Sequence, residues 1–154
     1  MTEDSTNKAH KGQTSPLPTV LSIDICDAII RDETTKKVSL IGLFSIIRAN
    51  SFPCIHPLMH IYIALTNGHG KCKTEVRFAR LDDNKPIAGM AGELQFQNPL
   101  QIVEMNLCWQ KLAFEKPGEY AVEVLCGGKE VGSRKFVVMG PEDKMLPTSG
   151  TEVR

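Results

Sequence analysis

Pro117-Gly118-Glu119-Tyr120-Ala121-Val122-Glu123-Val124-Leu125-Cys126-Gly127-Gly128-Lys129 is the stretch that decides the fold class of this 154-residue chain. A Pro-Gly turn leads into strict alternation, with Tyr120, Val122 and Val124 on one parity and Glu119 and Glu123 on the other. A period of two is that of a strand burying one face. Gly127-Gly128-Lys129 reads as a hairpin turn, and Val131–Val138 as the strand that returns.

The same grammar recurs in both directions. Val103, Met105, Leu107 and Trp109 alternate with Glu104, Asn106 and Cys108, which predicts a strand with Trp109 in the core. Ile87–Phe96 is poor in side chain, with Gly89, Ala91 and Gly92, and predicts a bulge or a close backbone approach. Cys72–Leu81 alternates cleanly, and His60–Thr66 places Ile61, Ile63 and Leu65 on one face with Met59. Asn67-Gly68-His69-Gly70-Lys71 reads as the hairpin turn between those two strands. Val20–Arg31 and Val38–Arg48 complete the set, the latter apolar on both parities and so expected to be covered on both faces. All nine prolines fall outside these runs or at their ends, as strand ladders require. The prediction is an all-β protein, an antiparallel immunoglobulin-like or C2-like β-sandwich of about eight strands. A closed barrel is the rival architecture. Tyr120 occupies the turn-then-Tyr position at which immunoglobulin-like sandwiches bond the hydroxyl back to a corner.

Residues 1–19 are polar and predict a disordered arm, 20–138 the sandwich domain, and 139–154 a flexible tail. Overall charge balances at eighteen basic and eighteen acidic side chains. There is no basic excess to neutralise a run of phosphates, so nucleic acid is not expected as a partner. No polybasic stretch or run of ~18 apolar residues points to a membrane. The N-terminal nineteen residues contain no signal-peptide core, and the five cysteines (Cys26, Cys54, Cys72, Cys108 and Cys126) form no Cys-x-x-Cys pair. An odd number of thiols without an export signal predicts reduced cysteines in a cytoplasmic protein.

Ile25-Cys26-Asp27, Gly42-Leu43-Phe44 and Phe52-Pro53 together resemble a bacterial family of small cytoplasmic β-sandwich proteins known only as a domain of unknown function. The resemblance covers about residues 20–138. It implies the sandwich and assigns no activity, so no functional residue follows from it.

Catalytic signatures are missing: no Gly-x-Ser-x-Gly elbow, no His-Glu-x-x-His and no phosphate-binding loop. The chain is expected not to be an enzyme and to need no cofactor. Cys54, His56, His60 and Cys72, with His69, are the one soft-ligand group, and they motivate the alternative of a metal-binding domain or metal-dependent enzyme. The plainer account is unrelated thiols and surface histidines. Asp82-Asp83-Asn84 offers carboxylates on a loop, but too few oxygens for calcium, and a turn favours these residues anyway. Asp24 and Asp27 lie within an apolar strand and must face solvent or be held by backbone donors at a bulge. Pairing the predicted strands across residues 67–71 brings His60, Tyr62, Glu75 and Arg77 together as one outward patch. Tyr and Arg are enriched at interfaces. The expected function is therefore a non-catalytic protein-binding or assembly module, its partner another protein or a second copy of the chain.

Overall fold

The computed structural model describes residues 16–144, which form nine strands in two sheets. In chain order these are β1 (Thr19–Arg31), β2 (Val38–Leu43), β3 (Ile46–Arg48), β4 (Cys54–Thr66) and β5 (Gly70–Arg80). They are followed by β6 (Lys85–Phe96), β7 (Val103–Phe114), β8 (Gly118–Cys126) and β9 (Lys129–Met139). One sheet has the order β2-β1-β4-β7 and the other β3-β9-β8-β5-β6. The result is a β-sandwich rather than a closed barrel. Most of the arm and tail expected at 1–19 and 139–154 lies outside the described residues. Within them, Thr19 opens β1, Met139 closes β9, and Gly140–Lys144 holds no strand.

The ninth strand arises because Val38–Arg48 is not one strand. Gly42 has φ +69°, and the Phe44 N–H still donates to Ile25 O of the first sheet at 3.0 Å. The next residue, Ser45, accepts from Val137 N–H of the second sheet at 2.8 Å. The chain thus changes sheets between adjacent residues, and β3 runs parallel to Val137–Met139 of β9, while every other pairing is antiparallel. β2 is an edge strand, so Ile41 and Leu43 are exposed and the expectation of cover on both faces fails. Ile47 of β3 is buried.

The predicted β4–β5 hairpin is also absent. Asn67-Gly68-His69 carries the chain from one sheet to the other, and β5 pairs with β6 and β8 instead. Gly68 lies so close under the Phe96 ring that any Cβ there would overlap it, which is why glycine occupies the crossing.

β4 begins at Cys54, six residues before the predicted start, and passes through Pro57. Pro57 falls opposite Lys111, which takes φ +53°. Both strands change face at this point. Beyond it Met59, Ile61, Ile63 and Leu65 point inward with Met105, Leu107 and Trp109 opposite. Before it His56 and Cys54 share the inner face with Leu112 and Phe114. A proline has no N–H to donate, so the ladder loses little by breaking here. The predicted bulge in β6 is present, with Ile87 the extra residue between Pro86 and Ala88.

The two inner faces meet through aromatic rings. Tyr120 stacks on Phe136 with centroids 5.8 Å apart, and Phe114 meets Tyr120 edge-on at 5.0 Å. Phe78 meets Trp109 edge-on at 4.9 Å. Such offset and edge-on pairs add ~0.5–1.5 kcal/mol each beyond the area they bury. Tyr120 is the corner tyrosine, its hydroxyl donating to Lys116 O at 2.6 Å.

Two outcomes follow from this core. Trp109, the one tryptophan, is expected to fluoresce to the blue of its unfolded state, and Trp109→Ala to cost roughly 3 kcal/mol in denaturant unfolding. Native emission matching the unfolded chain counts against its inward placement. Tyr120→Phe keeps the ring but leaves a carbonyl short of a donor, so a loss of about 1–3 kcal/mol is expected in the same experiment.

Candidate interaction surfaces

The four residues of the predicted patch divide between the two sheets. His60 and Tyr62 lie on the outer face of the β2-β1-β4-β7 sheet, opposite in parity to the buried Ile61 and Ile63. Glu75 and Arg77 lie on the outer face of the β5 sheet, opposite in parity to the buried Val76 and Phe78. Stacked sheets are ~10 Å apart, so the pairs look out from opposite sides of the sandwich. The cause is the crossing at Gly68, which a local turn pattern does not distinguish from a hairpin.

Each half has its own partners. Arg77 Nε donates to Glu123 Oε2 of β8 at 2.6 Å, and this bond holds the guanidinium pKa above its ordinary value. Tyr62 donates to Glu104 Oε1 of β7 at 2.5 Å, and Arg31 Nη2 reaches Glu104 Oε2 at 3.4 Å. Glu104 shares a row with Ala64 and Ser22, yet Arg31 is nine residues along β1 from Ser22. A straight strand would put ~30 Å between them. The end of β1 therefore folds back over the sheet once its pairing with β4 stops at Cys26 and His60. Cys26 is wholly buried on the same parity as Asp24, under this returning hairpin.

The remaining candidates are also placed. Cys54 and His56 sit at one end of β4 facing inward, His60 faces outward, and Cys72 lies in the other sheet near the opposite end of the sandwich. Among the described residues no group of three or more such side chains could hold a metal ion. The Asp82-Asp83-Asn84 loop is a turn whose carboxylates are engaged. Asp83 accepts from Arg80 at 3.1 and 2.5 Å, and Asp82 Oδ2 lies 2.6 Å from Lys116 Nζ. The Arg80 hydrogen bonds hold the Asp83 carboxyl below the usual carboxylate range. Asp27 is exposed, whereas Asp24 accepts from the Ser22 hydroxyl and lies 3.9 Å from Arg134 Nη1.

Arg134 marks a difference between the two open sides of the sandwich. On one side it spans from β9 to Ile23 O at 3.5 Å and Ser45 Oγ at 3.3 Å, strapping the sheets together beside Asp24. On the other side the two sheets end in β6 and β7, each without a second strand partner among the described residues. No hydrogen bond or ion pair links these two strands there. Between them runs an apolar cleft lined by Val76, Met90, Leu94, Met105 and Leu107. Met90 is 42% exposed, and the inward side chains of β7 from Val103 to Trp109 are only half-buried. β6 bears no charge between Lys85 and Glu93 and is nearly bare at Gly89, Ala91 and Gly92. The poverty of side chain in Ile87–Phe96 was the one sequence signal of this surface; that β6 and β7 border the same opening depends on strand order.

Tyr62 and Tyr120, the chain's two tyrosines, are both held protonated. Burial, then the Glu104 hydrogen bond and charge, push Tyr62 up to about 12, and burial raises Tyr120. The contribution of Tyr62 to stability is complete below about pH 10, where the unfolded tyrosine begins to ionise, and falls as pH rises towards 12. A tyrosinate absorbance titration should show both groups ionising at higher pH in the folded than in the unfolded chain. Glu104→Gln should bring only one of the two groups back towards its ordinary value. Equal effects on both would contradict the Tyr62–Glu104 bond.

Comparison with known proteins adds a family and leaves the surfaces unassigned. An immunoglobulin-like protein of Pseudomonas aeruginosa superposes with a TM-score of 0.41 at 9% identity, covering 81% of this chain and 98% of that one. The alkylpurine DNA glycosylase AlkC of Pseudomonas fluorescens, bound to DNA containing an abasic site analog, superposes with a TM-score of 0.41 at 12% identity. That alignment covers 75% of this chain and 30% of the glycosylase. A comparison with curated proteins finds no match. Residues 21–139 match a family of unknown function, DUF6941, and the chain belongs to that family.

Proposed function

We propose that this chain is a non-catalytic protein-binding module that takes an extended segment of a partner protein onto edge strand β6. Backbone groups of the segment would continue the β5–β6 ladder, and its alternate side chains would enter the cleft beside Met90, Met105 and Leu107. The observation that supports this reading is the contrast between the two open sides. One is strapped by Arg134, and the other presents two twelve-residue edge strands across an apolar opening. Natural edge strands are commonly blunted by charge, proline or a bulge. β6 has Pro86 and its bulge only at its first residues, and from Ala88 to Gly92 it carries neither charge nor proline. Strand addition to such an edge draws affinity from main-chain hydrogen bonds and specificity from pockets for alternate side chains.

The cytoplasm is the compartment we propose, since all five cysteines are free thiols. No helix in the described residues is long and apolar enough to cross a membrane. The balanced charge favours a protein over a nucleic acid as the partner.

A photo-crosslinking residue placed at position 90 in the native host tests the proposal, with one at Glu75 on an outer face as control. A defined protein should be captured from position 90 and not from position 75, with protection of β6 amides from hydrogen exchange in the purified complex. Met90→Lys points a charge into the opening. At a partly exposed site it should change stability by only ~0.5 kcal/mol while weakening that complex at least tenfold. Capture from position 75 alone, or an unchanged complex with Met90→Lys, would overturn the assignment.

A further inference from the structure

Among the five free thiols, two are brought together by the β5–β8 pairing. Cys126 is directly opposite Thr74, and Cys72 lies two residues along β5 on the same inner face, diagonal to Cys126. Thr74 spans the pair: its hydroxyl donates to Cys72 O at 3.3 Å and lies 3.9 Å from Cys126 Sγ. The Cys72 thiol itself donates to Lys73 O at 3.6 Å. Burial first, and then the neighbouring Cys72 side chain, push the Cys126 thiol up to about 11.

Their surroundings differ. Cys126 is wholly buried, whereas Cys72 is half-buried and lines a surface cleft with Leu17, His69, Lys71, Lys73 and Gly127. Among the described residues no carboxylate lines that cleft, although Lys71 Nζ approaches Glu93 Oε1 at 3.8 Å. Basic groups beside the cleft attract an anionic reagent. An accessible sulfur flanked by basic groups, with a second sulfur behind it, is the arrangement of an attacking and a resolving thiol.

We propose that Cys72 and Cys126 form a dithiol site that exchanges with a small anionic disulfide of the glutathione class. The Cys72 thiolate attacks one sulfur of the disulfide, forming a mixed disulfide and releasing one glutathione thiolate. Cys126 then attacks the Cys72 sulfur, its proton passing to the second departing thiolate. A Cys72–Cys126 bond is formed, and the small molecule leaves as two thiols. The protein loses two electrons and two protons, and the disulfide gains both.

Diagonal strand positions are spaced wider than a disulfide prefers, so closing the bond needs backbone movement. The place for it is adjacent: β8 ends at Cys126, and Gly127 and Gly128 follow with φ of +58° and +80°. The β8–β9 ladder already shifts register between Val124 and Leu125.

The test is incubation of the reduced, folded full chain with glutathione disulfide, followed by alkylation and peptide mapping. The expected product is a Cys72–Cys126 cross-link. Cys126→Ala should stop the reaction at a stable glutathione adduct on Cys72, increasing that adduct at least tenfold over the parent. Cys72→Ser should leave Cys126 unmodified, because no reagent reaches it directly. Cys108, exposed and distant, is the control for indiscriminate modification, and Trp109 emission reports whether each variant is folded. If Cys126→Ala fails to fold, trapping the mixed disulfide at early times in the parent supplies the same information. The proposal fails if Cys108 is modified while Cys72 and Cys126 remain thiols, or if the cross-link appears only in denaturant.

Discussion

The aromatic contact between the sheets is the interaction on which the rest of the structure depends. Tyr120 and Phe136 stack within one sheet, Phe114 reaches across from the other to meet Tyr120 edge-on, and Phe78 and Trp109 repeat the arrangement further along. Rings hold two surfaces at a fixed distance more stiffly than aliphatic chains, because they have few rotatable bonds and directional packing. Phe114 can take part only because the chain changes face at Lys111; a regular β7 would turn Leu112 and Phe114 to solvent. The backbone irregularity at Pro57 and Lys111 thus serves the core, and the exposed parts of β4 follow from it. Tyr120 adds a fixed end through Lys116 O, so that the turn entering β8 is set by the same ring.

With the interior fixed in this way, the margins of the sandwich are free to differ. One margin joins the sheets through Arg134 and through a chain segment that changes sheets at Phe44-Ser45. The other leaves β6 and β7 unjoined. Small residues along β6 remove the side chains that would otherwise screen its backbone, and the half-buried Met105 and Leu107 supply the apolar floor. Covering that floor with a foreign strand would remove apolar area from water at about 25 cal/mol per Å², before the cost of ordering the strand. The outer faces are occupied by internal pairs, Arg77 with Glu123 and Tyr62 with Glu104, whose polar groups already have partners.

What was legible in the sequence is what local periodicity controls. Alternation placed Tyr120, Val122 and Val124 inward, and also Trp109, and the punctuation by glycine and proline located most strand ends. Sheet membership was not legible. Asn67-Gly68-His69 and Gly127-Gly128-Lys129 have the same turn chemistry, yet the first crosses between sheets and the second closes a hairpin. The difference lies with Phe96, far along the chain, whose ring roofs Gly68. From that one ambiguity came the mistaken patch of His60, Tyr62, Glu75 and Arg77. The change of face at Lys111 has no local signal either, since lysine disfavours positive φ and adopts it here under tertiary constraint. Neighbours such as Cys72 and Cys126 depend on a register between strands that are separated by β6 and β7 in the chain.

The parallel pairing of β3 with the end of β9 bears on how the chain acquires its structure during synthesis. Ile46–Arg48 leaves the ribosome early, but its strand partner, Val137–Met139, is among the last parts of the domain to be made. Until then β3 has no strand to bond with, and Ile47 has no completed sheet to cover it. At a synthesis rate of ~5–20 residues per second, this segment waits several seconds or more. A nascent chain carrying a bare apolar segment for that interval is one on which chaperones can act. Completion of the second sheet is then a late event, in which β9 joins β8 on one side and captures β3 on the other.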